Sequence, residues 1–260
     1  MPSEYRLLAV DIGNTETGIG FYEISHGQDL RLLRSLRFPT RRGTTSDLLF
    51  SFLAPHFPLP NRFALCSVVP PLISPWKALA ASQTEGRCLV LEPEIVPDIA
   101  IEIDRPAEAG IDRIVNAWMG FRRYGGPLVV VDMGTATTFD IVSKEGSYRG
   151  GIIAPGMKIS TEALASRTAK LPPIDFLPPE RIIGTNTVAA LRSGIVLGHE
   201  ILVAGFLDRL AKEEGLSRAV ATGGFSSTMS TDLKKRFLAV DPFLTLDGIA
   251  AIARHIFYQS

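Results

Sequence analysis

The sequence predicts an α/β protein built as two similar halves. Three observations predict it. Short apolar, β-rich runs alternate with windows of helical periodicity. Two of those runs end in the same Asp-x-Gly turn. Leu8-Ala9-Val10-Asp11-Ile12-Gly13-Asn14-Thr15 aligns without a gap on Val129-Val130-Val131-Asp132-Met133-Gly134-Thr135-Ala136, and Thr17 then falls on Thr138. Finally, 260 residues at 46% hydrophobic content suffice for two cores of ordinary size. The boundary is expected near 123–127, giving one α/β domain over 1–124 and a second over 125–260.

The elements follow in order. Residues 5–10 form an apolar strand that turns at 11–15 and returns over 17–22, a hairpin. A basic, polar stretch covers 31–47, then a short helix at 48–53. Residues 63–69 read as a buried strand closed by Pro70-Pro71. A helix at 76–81 and a strand at 88–91 complete the first half. The proline-spaced stretch 93–106 is irregular, and 107–123 is a helix with Ile114, Ala117 and Trp118 on one face. Residues 127–131 run apolar into Asp132, and 137–142 return as β. A third strand is expected at 147–153 and a helix at 158–165. Four prolines make 172–179 a loop. A long helical pattern covers 187–210, with a kink expected near Gly194 or Gly198. Strands at 219–222 and 237–240 and a helix at 247–257 close the chain.

Composition excludes several function classes. Lys+Arg and Asp+Glu are both 27, so the basic excess of a general nucleic-acid binder is missing. No apolar run reaches the ~18 residues of a membrane span. Met1-Pro2-Ser3-Glu4-Tyr5-Arg6 lacks the pattern of a signal peptide, so a cytoplasmic location is expected. Cys66 and Cys88 are lone thiols in apolar-flanked segments, expected to be buried and reduced. His26, His56, His199 and His255 never fall at zinc-ligand spacing. Neither a GxSxG elbow nor a GxxxxGK[ST] loop occurs.

An Asp at the end of a buried strand, followed by a turn glycine, can be an ordinary hairpin. It can also build a phosphate site. The glycine lets backbone approach a ligand, N–H groups make an anion-binding concavity, and the carboxylate holds Mg²⁺ beside the phosphates. Two matching copies favour the second reading and a cleft between domains. Gly110-Ile111-Asp112-Arg113 opens a helix. Asp112 there serves the helix dipole, or it orients and deprotonates a hydroxyl while Arg113 clamps a carboxylate. Gly150-Gly151-Ile152-Ile153-Ala154-Pro155-Gly156 and Ala221-Thr222-Gly223-Gly224 are glycine-rich strand ends, either plain turns or places where backbone nears a nucleotide. Gly184-Thr185-Asn186-Thr187 precedes the long helix, with Asn186 or Thr187 as a cap. Arg41-Arg42 and Arg122-Arg123 read as solvated charge.

Duplicated Asp-x-Gly halves resemble the superfamily of actin, Hsp70-type ATPases and sugar kinases. The resemblance implies two ribonuclease H-like domains with an interdomain nucleotide cleft. Taken in order, Asp11 to Thr15, Ser67-Val68-Val69-Pro70, Gly110 to Arg113, Val131 to Asp140, Gly150 to Gly156, Gly184 to Thr187 and Ala221 to Gly224 narrow it. Over nearly the whole chain this set resembles the type III pantothenate kinases, the family that includes the Bvg accessory factors. The resemblance implies ATP-dependent phosphorylation of pantothenate to 4′-phosphopantothenate, the first step towards coenzyme A. It assigns Asp11, Ile12, Gly13, Asn14, Thr15, Glu16, Thr17 and Gly18 to the first phosphate loop, with Asp11 near Mg²⁺, and Thr135 to ATP. Gly110, Ile111, Asp112 and Arg113 would bind pantothenate, Asp112 as general base and Arg113 on its carboxylate. Asp132 would bind a monovalent cation, K⁺ or NH₄⁺. Thr187 would reach the pantothenate pocket of the partner subunit in a homodimer.

Two positions depart from the family pattern. Ile103, in Ile103-Asp104-Arg105-Pro106, stands where the family has a tyrosine lining the acceptor pocket, and Ile111 replaces an alanine. Two other readings accompany this one: a non-catalytic nucleotide-binding accessory protein, and a kinase for another small hydroxy acid.

Overall fold

The structure is a computed structural model that describes residues 5–25, 29–58, 60, 62–84, 87–167 and 171–259. Residues 1–4 and His26, both used in reading the sequence, lie outside this set. The chain packs as two compact units. Unit 1 comprises Met1–Ile99, Asp104–Met119 and Leu244–Ser260, and unit 2 comprises Ala100–Ile103 and Gly120–Phe243.

Unit 1 holds a five-stranded sheet of β1 (Tyr5–Ile12), β2 (Glu16–Ile24), β3 (Leu30–Pro39), β4 (Arg62–Ser67) and β5 (Cys88–Val90), in the order β3-β2-β1-β4-β5. The β1–β2 and β2–β3 pairs are antiparallel, β1–β4 and β4–β5 parallel. Side chains alternate across a strand. Leu8, Val10 and Ile12 therefore join one core with Leu49, Leu53, Trp76 and Leu79 of α1 (Ser46–Leu53) and α2 (Ile73–Thr84). At the start of α1 the Thr45 side chain accepts from Leu48 N, a cap worth about 1 kcal/mol. Helix α8 (Leu244–Gln259) contacts β1, β2 and β4 and buries Leu246, Ile249 and Ile252. It is tied within the unit by Tyr22 Oη donating to Asp247 Oδ1 at 2.6 Å, and by Thr245 Oγ1 donating to buried Asn116 Oδ1 at 2.7 Å. Asn116 lies on α3 (Ile111–Tyr124), which begins in unit 1.

Unit 2 repeats the plan. Its strands are β6 (Leu128–Met133), β7 (Ala136–Val142), β8 (Tyr148–Pro155), β9 (Ala219–Thr222) and β10 (Ala239–Val240), in the order β10-β9-β6-β7-β8. Again the Asp-bearing strand is central, with an antiparallel hairpin on one side and a parallel strand on the other. Val129, Val131, Met133, Ala219 and Ala221 pack against Val203 and Leu207 of α6 (Gly198–Glu214). The remaining helices are α4 (Met157–Arg167), α5 (Thr187–Arg192) and the short α7 (Thr231–Lys234).

Several expectations change. The basic stretch after residue 30 is strand β3, because its leucines alternate with arginines on a sheet edge. The expected kink is a π-helical turn, Ser193–Leu197, between α5 and α6. The closing helix packs in unit 1, so packing groups residues 244–260 with the first half and not with a continuous 125–260 block. The hairpin repeat is also not gapless. Asp11 pairs with Gly18, whereas Asp132 pairs with Thr138, so the second turn is shorter by one residue and Thr137, not Thr138, corresponds to Thr17. Cys88 is half-buried where both cysteines were expected inside. Thr187–Glu214 is long and apolar enough, by length and composition, to cross a membrane. His199, Glu200 and Asp208 interrupt that run in the sequence, and Val203 and Leu207 pack into the unit 2 core.

Candidate active site

In unit 1 the first Asp-x-Gly turn is held from strand β3. Gly13 N donates to Glu16 O at 3.0 Å, and Thr40 N donates to Thr15 O at 2.9 Å. Thr40 Oγ1 donates to Gly13 O and lies 2.8 Å from buried Thr17 Oγ1. A Cβ on Gly13 would come within 2.9 Å of Glu16 O, so the turn is tight enough to require glycine. Asn14 and Glu16 are exposed, while Ile12, Thr17 and Gly18 are buried. Thr40 was missed in the sequence because its stretch read only as basic and polar; a threonine directly after a β-alternating run was the available signal.

Asp112 stands in the first turn of α3. Its Oδ1 accepts from Arg113 N at 2.9 Å, and Gly110 O accepts from Arg113 N and Ile114 N. The carboxylate folds back over Gly110, where a Cβ would lie 2.6 Å from Oδ1. Burial raises the Asp112 pKa above the ordinary carboxylate value, against the lowering effects of the Arg113 N–H and guanidinium. The helix-start reading thus describes this residue.

Cys66 pairs with Asp11 across the parallel β1–β4 ladder and is fully buried. Burial first, then the charges of Asp11, Asp112 and Glu92, push its thiol pKa well up. No catalytic role follows for Cys66, which lacks thiolate character. Burial likewise raises Cys88, to about 11.

In unit 2 both glycine-rich strand ends press on the second turn. A Cβ on Gly156 would lie 2.3 Å from Thr135 O, and one on Gly223 would lie 2.3 Å from Asp132 Oδ1; Gly223 also has φ +89°. Neither is a plain turn. Buried Thr137 places its Oγ1 3.0 Å from His199 Nε2, at the same register position where Thr17 meets Thr40. Burial lowers the His199 pKa, which favours the neutral ring. Next to it Glu200 accepts from Ser230 N at 2.6 Å. His199 did not stand out as Thr137's partner in the sequence, because the two are 62 residues apart.

Asn186 is the cap of α5, accepting from Ala189 N at 2.9 Å, which leaves Thr187 exposed at the first helical position. Gly184 packs on the α5 backbone, 2.2 Å from Ala190 N for an added Cβ. A cavity of about 550 Å³ lies beside this cap, lined by Glu180, Arg181, Thr185 and Arg192 among others. Ile103 is half-buried near Gly150, beside the Ile101–Tyr148 bridge in unit 2. Arg41 and Arg42 are exposed as expected, whereas Arg123 pairs with Asp241 at 2.5 Å.

Unit 1 thus gathers Asp11, its glycine turn and Asp112, and unit 2 gathers Asp132, Thr135 and Gly223. Asp132 and its neighbouring hydroxyls are hard oxygen donors, the chemistry that suits a hard cation.

Comparison with known proteins adds four findings. The family model for type III pantothenate kinase matches residues 7–209. A type III pantothenate kinase from Koribacter versatilis is 40% identical over 259 residues, covering 95% of this chain and 94% of its own. One from Geobacter sulfurreducens is 39% identical over 251 residues, covering 94% and 96%. Among solved structures, a putative 2-dehydro-3-deoxygalactonokinase from Sinorhizobium meliloti matches with TM-score 0.60 at 17% identity, over 96% of this chain and 97% of that one. At such identity the likeness speaks for the fold alone, that of the actin, Hsp70 and sugar-kinase superfamily.

Proposed function

Because the chain belongs to the type III pantothenate kinase family, we propose that its site transfers the γ-phosphoryl group of ATP to the primary hydroxyl of pantothenate, with Asp112 as the base. The product is 4′-phosphopantothenate, on the route to coenzyme A. The observation that carries the assignment is the Asp112 carboxylate, half-buried at the start of α3 beside Arg113 and raised in pKa. Such a group is a stronger base than a solvated carboxylate.

Asp112 orients the hydroxyl and takes its proton as the new O–P bond forms and the bond to ADP breaks. The transition state is loose, so placement of the hydroxyl contributes as much as proton removal. Arg113 holds the substrate carboxylate through its planar donor fork. Asp11 would hold the Mg²⁺ that accompanies the ATP phosphates, and the turn from Ile12 to Gly18 would offer backbone N–H groups to those phosphates. Thr135 contacts ATP from the second turn. Asp132 would hold a monovalent cation, K⁺ or NH₄⁺, which would offset phosphate charge when bound. Thr187 serves the pantothenate pocket of a partner in a homodimer. Exposed Ile153, Ile182, Ile183, Val188 and Ile201 support that assembly. Ile103 and Ile111 leave this chemistry intact and alter only the acceptor pocket. A cytoplasmic setting suits these substrates.

A coupled assay of ADP release with ATP, Mg²⁺ and KCl tests the reading. Pantothenate should drive turnover, and other small hydroxy acids should not. ATP binding without pantothenate-dependent turnover would favour a non-catalytic role. Turnover with a different acid alone would move the substrate.

A further inference from the structure

The two units are copies of one sheet, so each residue beside one catalytic-turn aspartate has a counterpart beside the other. Across the parallel ladder, Asp11 pairs with Cys66 and Asp132 with Thr222. Both neighbours are fully buried. A thiol is a weak hydrogen-bonding group and tolerates an apolar site. A hydroxyl does not, and the Thr222 Oγ1 atom is buried with no hydrogen-bond partner.

Paired residues on adjacent strands share a sheet face. Thr222, Asp132 and Thr138 therefore form a row across β9, β6 and β7. The Thr138 hydroxyl has a protein partner, donating to Asp140 Oδ2 at 2.9 Å. The Thr222 hydroxyl has none. Gly223, the next residue, lies against Asp132 Oδ1 so closely that a Cβ would stand 2.3 Å away. The backbone at Thr222 is thereby held beside that carboxylate. Valine has the same shape and no unmet demand, so an orphan hydroxyl here points to a ligand.

We infer that Thr222 Oγ1 is a second oxygen ligand of a monovalent cation seated at Asp132. This rests on the cation reading of Asp132 given above. One carboxylate and one neutral hydroxyl match a singly charged, oxygen-seeking ion in charge and hardness.

The test is the thermal unfolding midpoint of the full chain, titrated with KCl at constant ionic strength set by choline chloride. Wild type should be stabilised as K⁺ binds the folded state. Thr222→Val should unfold at an equal or higher temperature without K⁺, and should need about tenfold more K⁺ for half the effect, the equivalent of one lost ligand bond. Thr222→Ser should stay close to wild type. Thr222→Cys, which installs the unit 1 residue, should behave like the valine variant and serves if the valine variant does not fold. If Thr222→Val and Thr222→Cys titrate like wild type while Asp132→Asn does not respond, the Thr222 assignment is wrong and the Asp132 reading stands. If wild type shows no K⁺ response, both fall.

Discussion

At Asp112 the environment pulls in two directions. The first turn of α3 and the Arg113 guanidinium favour the carboxylate, and burial opposes it more strongly. The sign for stability follows. The folded-state pKa lies above the unfolded one, so the protonated group stabilises the fold below the unfolded pKa of about 3.9. That contribution disappears as pH rises through the folded pKa. Above the unfolded pKa Asp112 therefore lowers stability. Asp112→Asn should raise the unfolding midpoint at pH 7, and the gain should vanish in acid. The same variant should lose kcat by on the order of 10²-fold with ATP binding retained. Wild-type kcat/KM should fall on the acid side at a pH above the ordinary carboxylate range. Unchanged turnover in Asp112→Asn would remove the base role; a lowered midpoint at pH 7 would contradict the burial account.

The start of α3 functions through an absence of side chain at Gly110. A Cβ there would meet Asp112 Oδ1 at 2.6 Å, and that atom is the end of a movable side chain. Gly110→Ala should therefore fold, with its midpoint lowered by no more than a few degrees, as expected for about 1 kcal/mol. Its carboxylate should be displaced, and kcat should drop by roughly 10- to 100-fold, since an ångström of misplacement is costly in phosphoryl transfer. A Gly110→Ala enzyme with wild-type kcat would show that the carboxylate position is not limiting. At this scale the sequence was legible where the signal is local. Both Asp-x-Gly hairpins, the α3 start and the interruption of the long helix were readable from consecutive residues. Strand β3 was not, because its basic residues read as surface until β2 lies beside it; the Thr40 clamp and the His199–Thr137 contact were not, because each depends on a partner more than twenty residues away.

For the whole molecule, the exposed apolar residues Ile182, Ile183 and Val188 around α5 are the feature that a single chain leaves unexplained. A two-fold assembly would cover them with the same surface of a second copy. Light scattering at micromolar concentration should give twice the chain mass of 28.2 kDa. Ile183→Glu should shift the protein towards single chains and lose activity together with assembly. A fully active single chain would exclude the dimer.

The sequence by itself determined the duplication, the α/β class, the family and the two aspartate turns. Those are written in short windows, where strand periodicity and turn chemistry act on neighbouring residues. Tertiary structure decided which remote residues complete each turn. It put Thr40 against the first and Gly156 against the second, and it set Cys66 beside Asp11 and Thr222 beside Asp132. It also returned the last helix to unit 1, where Tyr22 and Asn116 supply its polar partners. The physical reason is the same in each case: register across a sheet and burial of a polar group depend on strands that the chain reaches only after long excursions.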